Sequence, residues 1–425
     1  MDIASLAFTA LFCALLLVGL LTRTVLGSRQ IRHVVRHREA VPAAFAHTIT
    51  PEAHRKAADY TVAKTRLALL NASFEAAVLI GWTLLGGLDW LNGVLLGFMG
   101  GGLLQQLALL GSFAVIGGLV GLPLSWYATF RVEERFGFNK TTPALWLADL
   151  VKGSVVGALV GLPIAALVLW LMGAAGPAWW IWAWGVWMGF NLLALVLYPT
   201  LIAPLFNKFE PLADETLKAR VSQLMQRCGF AAKGLFVMDG SRRSAHANAY
   251  FTGFGAGKRV VFYDTLLKQL SVDEVEAVLA HELGHFKHKH ITKRLISMGL
   301  MTLAGFYVLG YVMQQPWFYT GLGVMPVLDG SNNALALLLF MLVAPVFTFM
   351  FTPLMTMMSR KDEFQADAYA ASQTQGQYLV SALLKLYEDN ASTLTPDPLY
   401  ASVYYSHPPA SQRIPKILSQ QSSSL

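Results

Sequence analysis

Residues 278–290 read VLAHELGHFKHKH, and they contain the pattern H-E-x-x-H. His281 and His285 are four residues apart, so on a helix their side chains lie on one face, one turn apart. This spacing lets two imidazoles reach one zinc ion at about 2.0–2.1 Å. Glu282 projects from the adjacent edge, where its carboxylate can take a proton from an activated water. The stretch predicts a helix with a catalytic zinc site; the alternative is a histidine-rich helix on a basic surface.

The composition is that of a membrane protein. The chain has 425 residues, of which 55% are hydrophobic and 13% charged, whereas a soluble protein has about 25% charged residues. Cys13 and Cys228 are too few for a disulfide framework, and we interpret both as free thiols. The net charge of +7 is better explained by basic residues on the cytoplasmic side of a membrane than by nucleic-acid binding, so we expect no nucleic-acid partner.

Seven apolar runs are long enough to cross a bilayer, which takes about 20 residues. They cover residues 3–22, 67–88, 103–128, 151–173, 178–203, 295–315 and 334–358. The first run does not resemble a cleavable signal peptide, because Asp2 precedes it and no small-residue cleavage site comes before Arg23. The sequence therefore predicts an α-helical multi-pass membrane protein with seven transmembrane helices.

The distribution of Lys and Arg predicts the orientation. The connecting segments 86–102, 174–177 and 316–333 contain neither residue, whereas residues 28–66 contain eight. Basic residues accumulate on the cytoplasmic side. We therefore expect the N-terminus outside, and the H-E-x-x-H segment and the C-terminus in the cytoplasm. The membrane would be the inner membrane of a bacterium or the endoplasmic reticulum of a eukaryote.

The chain divides by composition into four parts. They are residues 1–203 with five transmembrane helices and two cytoplasmic loops, residues 204–294 as a cytoplasmic α/β unit, residues 295–358 with helices six and seven, and residues 359–425 as a C-terminal cytoplasmic segment.

The unit at 204–294 carries signals for both helices and strands. Residues 212–230 are amphipathic and predict a helix, whereas LFVMD (235–239) predicts a strand. Residues 249–264 predict a hairpin with a glycine-rich turn. Ser271 and Glu274 form a capping box, so the H-E-x-x-H helix is predicted to begin at Val272.

A catalytic zinc ion needs a third protein ligand and an open position. His288 is a poor candidate, because it lies about 10.5 Å along the helix axis from His281 at 1.5 Å per residue. Position 291 is Ile rather than a histidine that would continue the motif. We expect His288 and His290 to be exposed or to support a ligand from behind.

The segment SRKDEFQADAYA (359–370) supplies carboxylates instead. Glu363 and Asp367 are four residues apart, so they share a helical face. Glu363 is a candidate ligand, while Asp367 either holds an imidazole N–H or lies beside the catalytic water. The alternative is a solvated acidic face next to Arg360 and Lys361.

HELGH followed by two apolar spans and EFQAD resembles the type I CAAX prenyl protease family of integral-membrane zinc endopeptidases. Four further stretches resemble family signatures in the same order: RVEERFGFNKTT (131–142), YPTLIAPLFNKFEPL (198–212), SRRSAHANAYFTGFGAGKRVVFYDTLL (241–267) and YYSHPPASQRI (404–414). The resemblance implies one zinc ion per chain, and a fold of seven tilted helices around an intramembrane chamber with a small α/β zincin-like unit at its cytoplasmic rim.

The resemblance also implies residue roles. The zinc ligands would be His281, His285 and Glu363, with Glu282 as the general base. Asp367 matches the second acidic position of the family, whose role is proton donation or ligand orientation. We favour orientation, because a carboxylic acid is a poor donor at neutral pH.

The remaining roles concern the substrate. His407 resembles the histidine that stabilises the oxyanion, with Arg413 supporting it. Asn248, Ala249 and Tyr250 resemble the edge strand that binds a peptide by strand addition. The implied substrates are CAAX-type or other membrane-associated peptides with a hydrophobic or lipidated end.

Other functions compete with this interpretation. A quality-control protease for membrane proteins would have the same site, and a catalytically inactive scaffold is a further alternative. A metal transporter would need ligands inside the spans, where Glu75 is the one acidic residue we find. Glu75 indicates either a wet interior or a structural pair with another polar group.

Overall fold

The computed structural model describes residues 2–230, 234–252, 258–328 and 331–422. The helices are α1 (Ile3–Arg36), α2 (Pro51–Trp82), α3 (Gly87–Met99), α4 (Leu103–Tyr127), α5 (Pro143–Ala174), α6 (Trp179–Leu197), α7 (Ala203–Phe206), α8 (Glu215–Arg227), α9 (Asp264–Gln269), α10 (Val272–Lys287), α11 (His290–Val312), α12 (Pro316–Thr320), α13 (Asn333–Thr348), α14 (Thr352–Gln373), α15 (Gly376–Asp389), α16 (Pro398–Tyr404) and α17 (Ala410–Ser422). The strands are β1 (Phe209–Pro211), β2 (Gly234–Met238), β3 (Ala249–Thr252) and β4 (Arg259–Tyr263).

The multi-pass helical architecture is confirmed. Within the described residues, six helices are long and apolar enough to cross a membrane, or seven if the bent pair of α2 and α3 counts as one span. The prediction of the second span as residues 67–88 is wrong in detail, because α2 ends at Trp82 and α3 continues at an angle of 47°. Gly86 has a φ of +76° at this break, a conformation that glycine adopts without a steric penalty. Most of the predicted loop at 86–102 is therefore helical.

The apolar spans at both ends continue as helices beyond their predicted limits. Helix α1 extends to Arg36, so the basic segment 28–66 is largely helical, as expected, apart from the connection before α2. After α13, a short 3₁₀ turn leads directly into α14. The acidic pair at 363 and 367 is therefore part of the same helical column as the last span.

Glu75 has partners within the apolar region. Its Oε1 accepts a hydrogen bond of 2.6 Å from Asn71, and Arg23 lies 3.9 Å from its Oε2. The carboxylate is 60% exposed in the protein structure. The surroundings of Glu75 are thus compatible with both expectations, a structural pair and a position that faces water inside the membrane.

Local capping fixes where several helices begin. The side chain of Asp2 accepts from the backbone N–H of Ser5 at the start of α1, and Thr50 does the same for α2, with Pro51 at the first helical position. At α10, Ser271 and Glu274 form the predicted capping box. The predicted start at Val272 is therefore confirmed.

A four-stranded sheet in the order β1-β2-β4-β3 supports α10. The predicted strand at 235–239 corresponds to β2, which pairs in parallel with β4. The predicted hairpin strands β3 and β4 pair antiparallel, with Tyr250 opposite Val261. The glycine-rich turn at 253–257 lies outside the described residues. Helix α8 confirms the amphipathic prediction, because its apolar side chains Leu217, Val221 and Leu224 are buried.

Helices α10 and α14 cross in very close contact at Gly284, the second variable position of H-E-x-x-H. A Cβ atom at this position would lie 2.8 Å from Ala366 Cα and 3.1 Å from its carbonyl oxygen. Both neighbours are backbone atoms, which cannot rotate away. The missing side chain therefore allows α14 to bring its carboxylates against α10.

We predict that Gly284→Ala separates α10 from α14 and lowers the free energy of unfolding by about 1–3 kcal/mol, the usual cost of overpacking. Thermal unfolding of the purified protein tests this. Gly305→Ala is the matched control, because a Cβ at that helical glycine has no neighbour within 4 Å. Equal melting temperatures for the two variants would contradict the steric explanation.

Candidate metal centre

Three donor atoms from two helices converge at the predicted zinc site. Helix α10 supplies His281 and His285, and α14 supplies Glu363; their ligand atoms all lie within 4.8 Å of one another. The two Nε2 atoms are 3.3 Å apart. Glu363 Oε2 lies 3.5 Å from His281 Nε2, and its Oε1 lies 3.4 Å from His285 Nε2.

These separations fit a tetrahedral metal ion. Ligand atoms at about 2.0–2.1 Å from zinc, at tetrahedral angles, are about 3.3–3.4 Å from one another. In addition, Glu363 Oε2 is buried and makes no hydrogen bond within the described residues. A buried carboxylate oxygen without a hydrogen bond is costly, and a metal ion would satisfy it. The donor set of two imidazoles and one carboxylate is one that catalytic zinc uses.

Asp367 is placed to orient His281. Its Oδ1 lies 2.9 Å from His281 Nδ1, so the imidazole N–H points at this carboxylate and Nε2 is left as the donor toward the metal. Arg413 from α17 binds the same carboxylate through two hydrogen bonds, of 2.8 Å to Oδ2 and 2.6 Å to Oδ1. This geometry favours orientation over proton donation by Asp367.

Arg413 is buried among the carboxylates and imidazoles of the site. The residue is 5% exposed, and its guanidinium contacts Asp367, His281 and Glu363. The reason is the packing of α17 along α14, which directs the guanidinium to the rear of the ligand cluster. The predicted role of Arg413 as a substrate-binding support for His407 remains a prediction, and its contacts with Asp367 give it a structural role as well.

The surroundings favour positive charge at His281 and basicity at Glu282. Burial alone would lower the pKa of His281, but the adjacent carboxylates of Asp367 and Glu363 outweigh it and raise the pKa to about 9. The carboxylates thus create a place for a cation, which a divalent metal can fill. Burial raises the pKa of Glu282 above its usual value, with Glu363 adding to the effect. A raised pKa makes this carboxylate a better general base.

His407 lies at the open side of the cluster. Its Nε2 is 3.4 Å from Glu363 Oε1, and Nδ1 is 3.0 Å from the Ser406 hydroxyl. The side chain is 64% exposed, unlike those of the ligands. A reactant approaching from solvent would therefore meet this imidazole beside the metal position.

His288 and His290 differ in burial. His290 is 1% exposed and its ring contacts His285, whereas His288 is partly exposed. His290 therefore takes the second of the two expected arrangements, in which it supports a candidate metal ligand from behind. Helical spacing alone does not predict the contact between His290 and His285. Lys289 adopts a left-handed conformation, which turns the chain back after α10.

Strand β3, which contains Ala249 and Tyr250, is at the edge of the sheet and pairs only with β4 among the described strands. The carbonyl of Asn248 accepts from Tyr263, so Asn248 and Tyr250 direct their backbone groups toward β4. The backbone of Ala249 consequently points to the free edge, where its N–H donates to the exposed side chain of Asn248 at 2.8 Å. An extended peptide can pair with such an edge.

A polar cluster missed by the sequence analysis anchors this strand. Asn390 Oδ1 accepts from the backbone N–H of Ala247 at 3.1 Å and lies 3.2 Å from His246 Nδ1. His246 also contacts Glu133 and Tyr60. Glu133 lies in a π-helical turn that follows α4, a local distortion common at functional sites. The partners are up to 186 residues apart, so no local spacing signals the cluster.

Comparisons with known proteins match this architecture along almost the whole chain. Residues 211–421 match peptidase family M48, and residues 30–208 match the CAAX prenyl protease N-terminal region, described as five membrane helices. CAAX prenyl protease 1 of Saccharomyces cerevisiae is 39% identical over 329 residues, covering 73% of this chain and 71% of that protein. This chain belongs to peptidase family M48.

Other M48 relatives agree. The CAAX prenyl protease 1 homolog of Arabidopsis thaliana is 38% identical over 73% of each chain, and the human homolog is 30% identical over 93% of this chain and 92% of its own. The crystal structure of S. mikatae Ste24p superposes with a TM-score of 0.90 at 31% identity, covering 96% of this chain and 99% of that chain. The predicted family is confirmed, and the chain is an integral-membrane metalloendopeptidase. The transporter and inactive-scaffold alternatives are not favoured.

We predict that Arg413→Met destabilises this M48 protein by about 3–5 kcal/mol, the cost of leaving a buried carboxylate without its partner. Asp367 is the carboxylate concerned, and it is 2% exposed. Arg227→Met should cost less than about 1 kcal/mol, because Arg227 is half exposed and its partner Glu276 keeps Arg220. Parallel thermal or chemical unfolding of both variants checks the difference, and similar losses would contradict it.

Proposed function

We propose that this protein is a zinc endopeptidase that cuts CAAX-type membrane-associated proteins near their C-termini, at a site facing the cytoplasm. The proposal is carried by the convergence of His281, His285 and Glu363 at tetrahedral ligand spacing. The relatives named CAAX prenyl protease 1 support the substrate class. The absence of Lys and Arg from the three connecting segments expected outside supports the orientation.

The residues of this chain divide the peptidase chemistry among them. Zinc bound by the three ligands supplies Lewis acidity, which polarises a carbonyl and makes water more acidic. Glu282 takes the proton of the attacking water and passes it to the leaving amine. Asp367 holds the His281 ring in the orientation that directs Nε2 to the metal position.

His407 stabilises the oxyanion in this proposal. Nε2 of His407 faces the carboxylate of Glu363, an acceptor, so we place the proton of the neutral ring on Nε2, and the Ser406 hydroxyl, 3.0 Å away, can then donate to Nδ1. That N–H lies at the open side, beside Glu363. A donor fixed where negative charge develops lowers the barrier more than one that must reorganise during the reaction.

Substrate recognition combines the edge strand with an intramembrane chamber. The edge strand formed by Asn248, Ala249 and Tyr250 holds the peptide by strand addition, with Ala249 supplying the backbone groups that face the free edge. The chamber would accept the lipidated or hydrophobic end. Only 6% of the most apolar stretch is buried in the helical segments Leu103–Glu133 and Gly176–Phe206. These helices therefore leave most of their apolar surface to lipid or to an interior space.

The base assignment predicts that Glu282→Gln retains zinc but loses activity by about 10²–10⁴-fold, the usual contribution of a positioned base. Cleavage rate and zinc content should be measured on the same preparation. Asp273→Asn, at a partly exposed position in the first turn of the same helix, serves as the control and should cleave normally. A Glu282→Gln protein that cleaves at the parental rate would refute the assignment.

The substrate proposal is tested with two peptides of one CAAX sequence, one farnesylated at the cysteine and one not. We expect the purified protein to cut the farnesylated peptide at least ten times faster, and a zinc chelator to abolish cutting. Restoration by added zinc controls for chelator damage.

Equal, chelator-sensitive cutting of both peptides would support the zinc mechanism. It would also show that the protein does not recognise the farnesyl group. It would favour a broader role, such as the quality-control proteolysis of membrane proteins. Cutting that resists the chelator would overturn the metal assignment itself.

A further inference from the structure

His285 is held by a different kind of partner from the one that holds His281. The Nδ1 of His281 faces the carboxylate of Asp367, whereas the Nδ1 of His285 lies 3.0 Å from Nδ1 of His290. On its other side, His290 Nε2 lies 2.9 Å from Gln365 Oε1 and 3.4 Å from Asp362 Oδ1. The three side chains form a continuous row from the metal position to α14.

The direction of the hydrogen bonds follows from the acceptors at the far end. The amide oxygen of Gln365 and the carboxylate of Asp362 accept hydrogen bonds only, so Nε2 of His290 carries a proton. The Nδ1 atom of a neutral His290 is then a lone-pair acceptor, and the N–H of His285 Nδ1 donates to it. The Nε2 of His285 is left unprotonated, as a metal ligand must be.

The backbone builds this contact at a conformational cost. Lys289 has φ +56° and ψ +34° between α10 and α11, a left-handed conformation that costs a residue with a side chain about 1–2 kcal/mol. This turn brings the His290 ring back against the last turn of α10. His290 is then 1% exposed, so the ring has little freedom to rotate away.

We propose that His290 is a positioning residue for the metal centre: it fixes the tautomer and the ring orientation of the ligand His285, and Gln365 fixes His290. This inference rests on the proposed metal site. It assigns the two ligand histidines unequal supports, a carboxylate for His281 and a neutral imidazole for His285. Partners of metal-bound histidines usually contribute about 10–100-fold to metal affinity.

The test measures zinc affinity of the purified full-length protein by competition with a zinc-chelating indicator. His290→Leu keeps the approximate size of the ring and removes the acceptor, so zinc affinity should fall about 10–100-fold. His290→Asn places Oδ1 near the position of Nδ1 and so keeps an acceptor. The change in the logarithm of its zinc affinity should be less than about one third of the change in His290→Leu. His288→Ala is the matched control, because among the described residues no hydrogen bond joins His288 to a ligand, although its ring stacks on His290.

A second readout separates positioning from general damage. Cobalt in place of zinc should give visible absorption bands that shift in His290→Leu and return toward the parental positions in His290→Asn. Gln365→Met removes the acceptor of His290 Nε2 and leaves His290 in place, so it should lower zinc affinity several-fold. This variant provides the test if His290→Leu does not fold.

The outcomes separate this inference from the proposed function. Zinc affinity within twofold of the parent in His290→Leu, or in Gln365→Met where the leucine variant does not fold, would overturn the positioning role and leave the metal site intact. Equal losses in His290→Asn, His290→Leu and His288→Ala would overturn it too. A parent protein that binds no zinc would overturn the metal assignment, and the inference with it.

Discussion

The contact between α10 and α14 at Gly284 is the constraint on which the site depends. Two of the three proposed metal ligands come from α10, and the carboxylates come from a helix that begins beyond two membrane spans. Neither helix holds a complete ligand set. The backbone of Ala366 can pass within van der Waals distance of position 284 only because no side chain stands there. The reach of Glu363 and Asp367 to the histidines follows from that approach.

The close contact of α10 and α14 buries two carboxylates, and neighbouring side chains compensate their charge. Glu363 and Asp367 are both 2% exposed, and ionised carboxylates out of water need compensating charge. Arg413 on α17 neutralises Asp367 through a bidentate contact. Glu363 faces the imidazoles of His281, His285 and His407 and retains an oxygen without a hydrogen bond, which suits a cation. Packing of the C-terminal helices and binding of the metal are therefore parts of one charge balance.

The sequence was most informative where a signal is local. The capping box at Ser271 predicted the start of α10, and short apolar and aromatic runs next to a glycine-rich turn predicted β2 and the two strands of the hairpin. The break after Trp82 was missed because the residues on both sides of it are apolar, so hydropathy continues across a bend that only the backbone reveals. The family was recognisable from motifs spread along the whole chain.

Contacts between distant residues set the limit of prediction at the site. Residues in H-E-x-x-H and in the acidic segment could be proposed as ligands because their spacing reflects one face of a helix. Nothing in the spacing shows that Arg413 lies behind Asp367, since that depends on how α17 packs. The burial of His290 depends on the left-handed turn at Lys289, which a lysine rarely adopts. The sequence suggested these residues, but their partners required the fold.

Arg413 and His281 lie far apart along the chain, and this separation has a consequence for biosynthesis. The two residues meet across 132 positions, and both α11 and α13 must enter the membrane before α14 can reach α10. At about 5–20 residues per second, translation of that interval takes on the order of 10 s. For the first 82 residues of this interval the nascent chain contains H-E-x-x-H without Glu363, and Arg413 follows 50 residues after that glutamate. If Glu363 is the third ligand, as proposed, a growing polypeptide lacks a complete ligand set until its last apolar span has been synthesised.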